Sequence, residues 1–214
     1  MNATLSFSRP RRLRILHLGT SNLSFLRRDL GSALLVEAGH GPYPAIDEAT
    51  NVYDVLILDN VPLEWVGDSQ AIRTAVMERG LDLVFFGGPL ALGGNGSYSS
   101  WSDSPLGDLL PVECRGLYKE IPPGSRVRSV FTGPTETLFK DLDISDLDTV
   151  RHVNPCTPRP GAMVWFIIEK DPFLCFWQIG EGQVTVCAAS LDEILNWGKG
   201  EELAAGIVEA TISD

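Results

Sequence analysis

Glycine and aromatic residues are concentrated in one stretch of the chain, and this stretch is the first place where the sequence indicates a binding site. Gly87, Gly88 and Pro89 open it, and Tyr98 and Trp101 close it. Glycine lets a ligand approach the backbone closely, and the two aromatic rings are suited to stacking on a flat or sugar-like group. Because no lysine follows the glycines, a Walker-type phosphate loop is excluded. The alternative is a tight connection whose aromatic side chains pack on the domain.

Acidic and amide side chains near predicted strand ends form a second group of candidates. The members are Asp59, Asn60, Glu64, Asp192 and Glu193. Ligands of open parallel sheets bind outside the carboxyl ends of the strands, so these residues could converge on one crevice. Asp59 and Asp192 are candidates for catalysis with a bound water, whereas Asp59, Asn60 and Trp197 are candidates for holding a ligand. A solvated acidic face is the alternative, because the chain carries a net charge of −11.

A third candidate follows the first predicted strand. Residues 19–22 offer backbone N–H groups and hydroxyls that could hold a phosphate or carboxylate, but they lack the longer glycine pattern of a dinucleotide site. Capping of a following helix by Thr20 or Ser21 explains the same residues. His17, inside the strand, is expected to be a core or strand-end histidine rather than a base.

Neither a metal nor a cofactor is predicted. The sequence contains no His-x-His motif, no Cys-x-x-Cys motif and no clustered aspartates. The four cysteines are Cys114, Cys156, Cys175 and Cys187. Two of them lie inside apolar strand-like runs, so reduced, structural cysteine is expected.

Apolar runs and helical periodicity in the first half of the chain predict two βα units and a third strand. The predicted strands are residues 13–18, 52–58 and 81–86, and the predicted helices are residues 22–38 and 62–79, followed by Gly39 and Gly80. Alternating strands and helices of these lengths predict a parallel sheet that is covered on both faces. The glycine-rich stretch then lies at the carboxyl end of the third strand.

The second half of the chain differs in composition and in its pattern of apolar residues. Prolines and glycines are frequent between Pro111 and Gly161. Strand-like runs follow at residues 162–168, 173–179 and 184–189. The turns between these runs predict an antiparallel meander, and residues 191–212 are expected to form one or two helices. We expect one domain over residues 1–214, with residues 1–12 as a flexible or edge segment.

Composition narrows the classes of partner and location. Apart from arginines near the N-terminus the basic residues are scattered, so the positive surface that nucleic acid requires is missing. No segment approaches the roughly 20 apolar residues of a membrane helix, and no secretory signal is apparent, so a cytoplasmic location without membrane contact is expected. The sequence also leaves open a homo-oligomer that buries an apolar face containing Trp65, Trp165 and Trp177. The alternative is that these three rings pack in the core of one chain.

Several spaced motifs point to one known family. They are YDVLILDNVP at residues 53–62, GLDLVFFGGP at 80–89, GNGSY at 94–98, SPLGDLLPV at 104–112, DPFL at 171–174, GEGQV at 180–184 and WG at 197–198. In this order they cover roughly residues 13–210 and resemble the class I glutamine amidotransferase-like (GATase1-like) family of cytoplasmic proteins. The resemblance implies a flavodoxin-like three-layer sandwich with a mostly parallel central sheet, helices on both faces and an added antiparallel hairpin near the C-terminus. It also implies a relationship to glutaminase domains and to trehalose-utilisation-like proteins.

The resemblance implies where active relatives carry out their reaction. Active members of the wider superfamily hydrolyse glutamine with a cysteine on a sharp strand-to-helix elbow, which is activated by a histidine and oriented by a glutamate. The matching elbow of this chain is Gly87-Gly88-Pro89, where no cysteine stands, and no late His-x-Glu motif is present. We therefore expect no glutaminase activity. The expected function is a binding or interaction module for a small polar ligand such as a sugar, and the alternative is a hydrolase or transferase that uses strand-end carboxylates.

Overall fold

The structure, a computed structural model, describes residues 12–30, 33–39, 41–43, 50–93, 97–130, 139 and 142–212. Its strands are β1 (Arg14–Leu18), β2 (Leu34–Ala38), β3 (Val55–Asp59), β4 (Asp82–Phe86), β5 (Val112–Cys114), β6 (Lys119–Glu120), β7 (Val127–Ser129), β8 (His152–Val153), β9 (Cys156–Pro158), β10 (Met163–Ile168), β11 (Asp171–Ile179) and β12 (Gly182–Cys187). Its helices are α1 (Leu26–Asp29), α2 (Ser69–Arg79), α3 (Leu191–Leu195) and α4 (Gly200–Ile212). Residues 1–11 of the predicted N-terminal segment, and residues 94–96 of the glycine-rich stretch, lie outside the described ranges.

Eight of the strands form one sheet in the order β2-β1-β3-β4-β12-β11-β10-β7. The first five strands in this order are parallel to one another, and the last three are antiparallel to their neighbours. The predicted α/β architecture, with a mostly parallel sheet and an added antiparallel hairpin, is therefore confirmed. Two small antiparallel pairs, β5 with β9 and β6 with β8, lie outside this sheet.

The sheet is covered on both faces because its central strands are apolar on both faces. All five residues of β3 are buried. Ile57 faces the core that contains α1 and α4, whereas Leu56 and Leu58 face the core that contains α2. This is the burial pattern expected of a parallel strand between two helical layers. Among the described residues, no helix is long and apolar enough to cross a membrane.

The predicted helix at residues 22–38 is wrong. Of the residues that the structure describes in this segment, only the four of α1 are helical, and the second part of the segment forms the edge strand β2. Leu35 is buried between the exposed Leu34 and Val36, which is the alternation of a strand, and it lies opposite Ile15 of β1. Pairing with β1 therefore outweighs a helical periodicity that was weak in the sequence.

The second predicted helix is shorter than expected but ends as predicted. Residues 63–65 form one 3₁₀ turn, and α2 begins only after Asp68. The carboxylate of Asp68 accepts hydrogen bonds from the N–H groups of Gln70 and Ala71, which makes it the N-cap of α2. Gly80, in the left-handed region with φ 68°, is the C-cap.

The C-terminal third joins the two halves of the sheet. The predicted meander is confirmed as β10, β11 and β12, and the predicted terminal helices are α3 and α4. Strand β12 pairs on its other side with β4, so the meander continues the parallel sheet. As a result the carboxyl ends of β1, β3, β4 and β12 all lie at one edge of the sheet, which is called the carboxyl edge below.

Candidate functional site

The turn after β4 is held between two asparagine side chains. Asn60, which follows β3, accepts a hydrogen bond from the N–H of Leu90 at 2.9 Å through its Oδ1. On the other side Asn154 Oδ1 accepts from the N–H of Gly88 at 2.9 Å, and its Nδ2 donates to the carbonyl groups of Gly88 and Ala91. The turn is therefore fixed by side-chain hydrogen bonds from two neighbouring segments.

The elbow leaves no room for a side chain at either glycine. A Cβ atom on Gly87 would lie 2.5 Å from the Ala188 carbonyl oxygen and 2.5 Å from Asn154 Oδ1. A Cβ atom on Gly88, which has φ 147°, would lie 2.3 Å from Asn60 Oδ1. All three distances are far below van der Waals contact. A larger residue therefore requires movement of the Ala188 backbone and the Asn154 side chain at Gly87, and of the Asn60 side chain at Gly88.

Two predicted carboxylates, Asp59 and Asp192, meet at the end of β1. Asp59 is 3% exposed, and its Oδ2 accepts a hydrogen bond from the N–H of Ser21 at 3.1 Å. The hydroxyl of Ser21 donates to Oδ1 of the exposed Asp192 at 2.8 Å. The structure thus brings Asp59 and Asp192 together through Ser21. Only Asp192 presents its carboxylate to solvent.

The residues around the end of β1 have structural contacts. His17 is buried, with Nε2 3.5 Å from Asp59 Oδ2 and Nδ1 4.0 Å from Glu37 Oε1. It is therefore a strand-end histidine of the core, as expected. The predicted helix capping by Thr20 or Ser21 is wrong, because α1 begins after Phe25 without a side-chain cap.

A second polar group at this edge pairs the candidate Glu193 with His152, which was not predicted as a site residue. His152 of β8 lies with Nδ1 2.8 Å from Glu193 Oε1, and the other oxygen of Glu193 accepts the N–H groups of Arg151 and His152. The imidazole is stacked on Tyr118 with ring centroids 5.3 Å apart. Because a carboxylate orients an imidazole that is 42% exposed, the pair has the form of a histidine and its orienting acid in general acid–base catalysis.

Burial keeps the phenol of Tyr118 neutral. Its hydroxyl oxygen accepts the N–H of Ser190 at 3.3 Å. Burial raises the pKa of Tyr118 to about 12, and the nearby charge of Glu193 acts in the same direction. The ring therefore provides a neutral surface beside His152. Sequence reasoning missed Tyr118, His152 and Asn154, because they come from the irregular region where no periodicity fixes positions.

The predicted aromatic residues do not form one binding surface. Trp101 is 0% exposed, packs edge-on against Phe85 at 5.0 Å and donates its Nε1–H to the Val61 carbonyl at 2.9 Å. Its predicted role in stacking on a ligand is therefore wrong, since the ring belongs to the core. Tyr98 is partly exposed and packs edge-on against Trp65 at 6.3 Å.

Of the remaining predicted residues, Pro89 belongs to the elbow, whereas Trp197 and Glu64 lie apart from it. Trp197 lines a cleft of about 700 Å³, and among the described residues the lining contains Arg28, Lys199 and Glu201 but not the elbow. Glu64 accepts the N–H of Ser99 at 2.7 Å. Pro89 continues the turn between Gly88 and Leu90. The carboxyl edge therefore combines Asp59, Asn60, Gly87, Gly88, Pro89 and Asp192, while Trp101, Trp197 and Glu64 have other surroundings.

The thiols are free, and three of them are buried. Burial raises the pKa of Cys187, at the end of β12, to about 12, so this thiol stays protonated near neutral pH. Among the described residues, no cluster of three or more His, Cys, Asp or Glu side chains could hold a metal ion.

Comparison with known proteins identifies the fold. No family model matches the sequence, and no curated protein matches it. Cytoplasmic protein STM1381 from Salmonella typhimurium LT2 has 16% identity, a TM-score of 0.76 and coverage of 93% of this chain and 99% of that one. Cytoplasmic protein STM3548 from Salmonella typhimurium has 18% identity, a TM-score of 0.72 and coverage of 93% and 99%.

A third solved structure extends the likeness over the whole chain. A ThuA-like protein from Bacteroides uniformis has 14% identity and a TM-score of 0.61, and the alignment covers 100% of this chain and 96% of that one. At these identities the likeness concerns the fold. The chain therefore has the α/β fold that these proteins share, one of which is ThuA-like.

Proposed function

We propose that this protein binds a small polar ligand, such as a sugar, at the carboxyl edge and does not hydrolyse glutamine through an elbow cysteine. The observation that carries the second part of this proposal is the enclosed position of Gly87. The oxygens of Ala188 and Asn154 fill the space that a nucleophilic side chain would need. We therefore expect no glutamine hydrolysis by a nucleophile at this elbow.

The thiol of Cys187 does not replace the missing nucleophile. Cys187 is connected to the elbow through its carbonyl oxygen, which accepts the N–H of Gly87 at 2.9 Å. Its side chain is fully buried, and burial raises its pKa to about 12. A protonated, buried thiol is a poor nucleophile.

The groups that face solvent at this edge favour a polyhydroxylated ligand. Asp192 presents a carboxylate, and His152 presents an imidazole stacked on the neutral ring of Tyr118. Carboxylates accept hydrogen bonds from hydroxyl groups, and aromatic faces pack against the apolar faces of sugar rings. Asp192 and Glu193, the partner of His152, are consecutive residues in the first turn of α3, so both kinds of group lie at the start of this helix.

The test is a binding screen of the full chain with sugars, nucleotides and amino acids, followed by calorimetry of any compound that raises Tm. We expect a sugar to bind, and we expect Asp192→Asn to weaken binding by about tenfold or more, equivalent to ~1.4 kcal/mol. Asp108→Asn, which neutralises an exposed carboxylate of the 107–109 turn, is the matched control and should leave the affinity unchanged. The absence of any stabilising compound, or equal effects of the two variants, would contradict the binding proposal.

The glutaminase part of the proposal has a separate test. Purified protein incubated with glutamine should release no ammonia above the blank. Ammonia release that disappears in Cys114→Ser or Cys187→Ser would overturn this part.

The pairing of His152 with Glu193 favours a hydrolase or transferase as the second candidate. Asp59, which the sequence suggested for this role, is buried and already accepts the N–H of Ser21. A panel of ester, amide and glycoside substrates distinguishes the possibilities. Activity lost in His152→Ala but kept in the Asp59→Asn/Asp192→Asn double variant assigns the proton transfer to His152. The opposite result assigns it to the carboxylates, and no activity on any substrate rejects this candidate.

A further inference from the structure

Two cysteines stand directly opposite each other in the small β5–β9 sheet. Cys114 and Cys156 are register partners, and their Sγ atoms are 3.6 Å apart. The next pair along is joined by a hydrogen bond from the Arg115 N–H to the Pro155 carbonyl at 2.7 Å. The cysteines therefore occupy a non-hydrogen-bonded pair of an antiparallel ladder.

This position suits a disulfide bond. The Cα atoms of non-hydrogen-bonded antiparallel partners are about 4.5 Å apart, and disulfides accept Cα separations of about 4.4–6.8 Å. Both side chains point to the same face of the ladder, because directly opposite residues do so. Rotation of the two side chains, without a change of strand register, is enough to bring the sulfurs to a bonding distance of about 2.05 Å.

The two thiols differ in a way that assigns them separate roles. Cys114 is partly exposed, and its hydrogen bond with Cys156 holds the pKa of Cys114 below its ordinary value. Cys156 is buried, and the same hydrogen bond together with burial raises the pKa of Cys156. The accessible sulfur is therefore also the one that ionises more easily, which is the property of an attacking thiolate.

We propose that Cys114 and Cys156 are a peroxide-sensitive pair that forms a reversible intramolecular disulfide. The Cys114 thiolate attacks one oxygen of hydrogen peroxide, the O–O bond breaks, and the released hydroxide takes up a proton to become water. Cys156 then attacks the resulting sulfenic acid sulfur, its proton leaves with the hydroxyl group as a second water, and the S–S bond forms. The two sulfurs together lose two electrons, which reduce the peroxide, and a dithiol reductant reverses the change.

Oxidation of this pair acts next to the elbow. While both thiols are protonated, Cys114 donates the hydrogen bond between the sulfurs and the thiol of Cys156 donates to the backbone carbonyl of Asn154 at 3.3 Å. The Asn154 side chain in turn holds Gly88. A disulfide sulfur has no proton to donate, so this support is lost on oxidation. The chemistry of the pair is independent of the proposed ligand, and it is tested without one.

The experiment treats the full chain with one to two equivalents of hydrogen peroxide and measures intact mass, free thiols in denaturant and a tryptic map. We expect a mass loss of about 2 Da, two of the four thiols blocked, a peptide linking Cys114 to Cys156, and full recovery with dithiothreitol. Cys114→Ser should prevent the cross-link. Cys175→Ser is the matched control and should allow it, because burial raises the pKa of Cys175 to about 12.

The peptide map of the unmodified sequence also decides the question if a variant fails to fold. A cross-link from Cys156 to Cys175, oxygen adducts on Cys114 without a cross-link, or four unchanged thiols would each overturn the proposal. Trypsin places Cys114, Cys156 and Cys175 in three different peptides, so the linked pair is identified directly.

Discussion

The side chain of Asn154 holds the backbone of the elbow in place through hydrogen bonds. It is 0% exposed and uses both of its polar atoms on the backbone of residues 88–91. A buried amide in this position replaces solvent as the partner of one N–H and two carbonyl groups, which would be costly to leave unpaired. The same side chain limits the space at Gly87, so the stability of the turn and the exclusion of a nucleophile have one cause.

Gly87→Ala is expected to lower the free energy of unfolding by about 2–4 kcal/mol, because the new methyl group lies 2.5 Å from two oxygens. Urea titration followed by circular dichroism measures the change. Gly198→Ala is the control, since nothing lies within 4 Å of the added Cβ, and it should change stability by less than about 0.5 kcal/mol. Equal midpoints for Gly87→Ala and the parent chain would show that the elbow is not enclosed.

At the scale of elements, the carboxyl edge is made rigid by how each neighbouring segment begins and ends. The segment after β1 is fixed by Asp59, the turn after β4 by Asn60 and Asn154, and the first turn of α3 by Ser190, whose hydroxyl accepts the N–H of Glu193. Each of these contacts joins segments that are distant in the chain or caps a helix. The site therefore depends on side-chain hydrogen bonds between elements more than on the elements themselves.

The contribution of the Asp68 N-cap to the stability of α2 can be tested by mutation. Asp68→Ala removes the acceptor for two N–H groups at the start of the helix and should lower the free energy of unfolding by about 1 kcal/mol. Glu78→Ala, which removes a negative charge from the last turn of the same helix, is the control and should be neutral or slightly stabilising. A loss of the same size in both variants would show that the cap hydrogen bonds of Asp68 are not the cause.

At the scale of the whole molecule, two buried thiols and one buried phenol make the stability of the fold sensitive to alkaline pH. Burial raises the pKa values of Cys175 and Cys187 from 9.0 to about 12, and that of Tyr118 from 10.0 to about 12. The unfolded chain loses the two thiol protons above pH 9 and the Tyr118 proton above pH 10, while the folded chain keeps them. The stabilisation is therefore complete below pH 9 and is lost as the pH rises towards 12.

Chemical denaturation at a series of pH values should show a stability that falls between pH 9 and pH 12. Cys187 contributes to this fall because burial raises its pKa to about 12 in the folded chain, so only the unfolded chain loses the thiol proton over most of this range. Cys187→Ala should be less stable than the parent chain at pH 8, because it leaves a cavity, but should lose less between pH 9 and pH 12. Parallel curves for the two proteins would exclude Cys187 as a source of the alkaline effect.

Secondary structure was predicted best where the pattern of apolar residues along the chain is enough to distinguish a strand from a helix. Strands β3 and β4 were predicted because a run that is apolar on both faces fits a central parallel strand. Strand β2 was missed because Leu34, Leu35 and Val36 fit a helix as well as a strand until the pairing with β1 is known.

The candidate site was only partly predictable for a related reason. Asp59 and Asp192 were found because they follow strand-like or precede helix-like patterns, and the geometry of a parallel sheet brings such positions together. His152, Tyr118 and Asn154 lie in a region without periodicity, so only the tertiary structure reveals their contacts with residues 188–193. Trp101 was wrongly predicted to stack on a ligand, because neighbouring glycines do not determine whether an aromatic ring faces solvent or the core.

The position of β12 beside β4 has a consequence for the route by which the chain folds. Leu83 and Val184 are direct partners at the centre of the sheet, although roughly 100 residues separate them in the chain. Strands β10 to β12 form from neighbouring segments, and β1 and β3 pair over shorter distances, so both halves can assemble early. The contact between β4 and β12 requires closure of the longest loop in the sheet and should be the slow step. We therefore expect the enclosed elbow, which depends on Ala188 just beyond β12, to be among the last parts of the molecule to form.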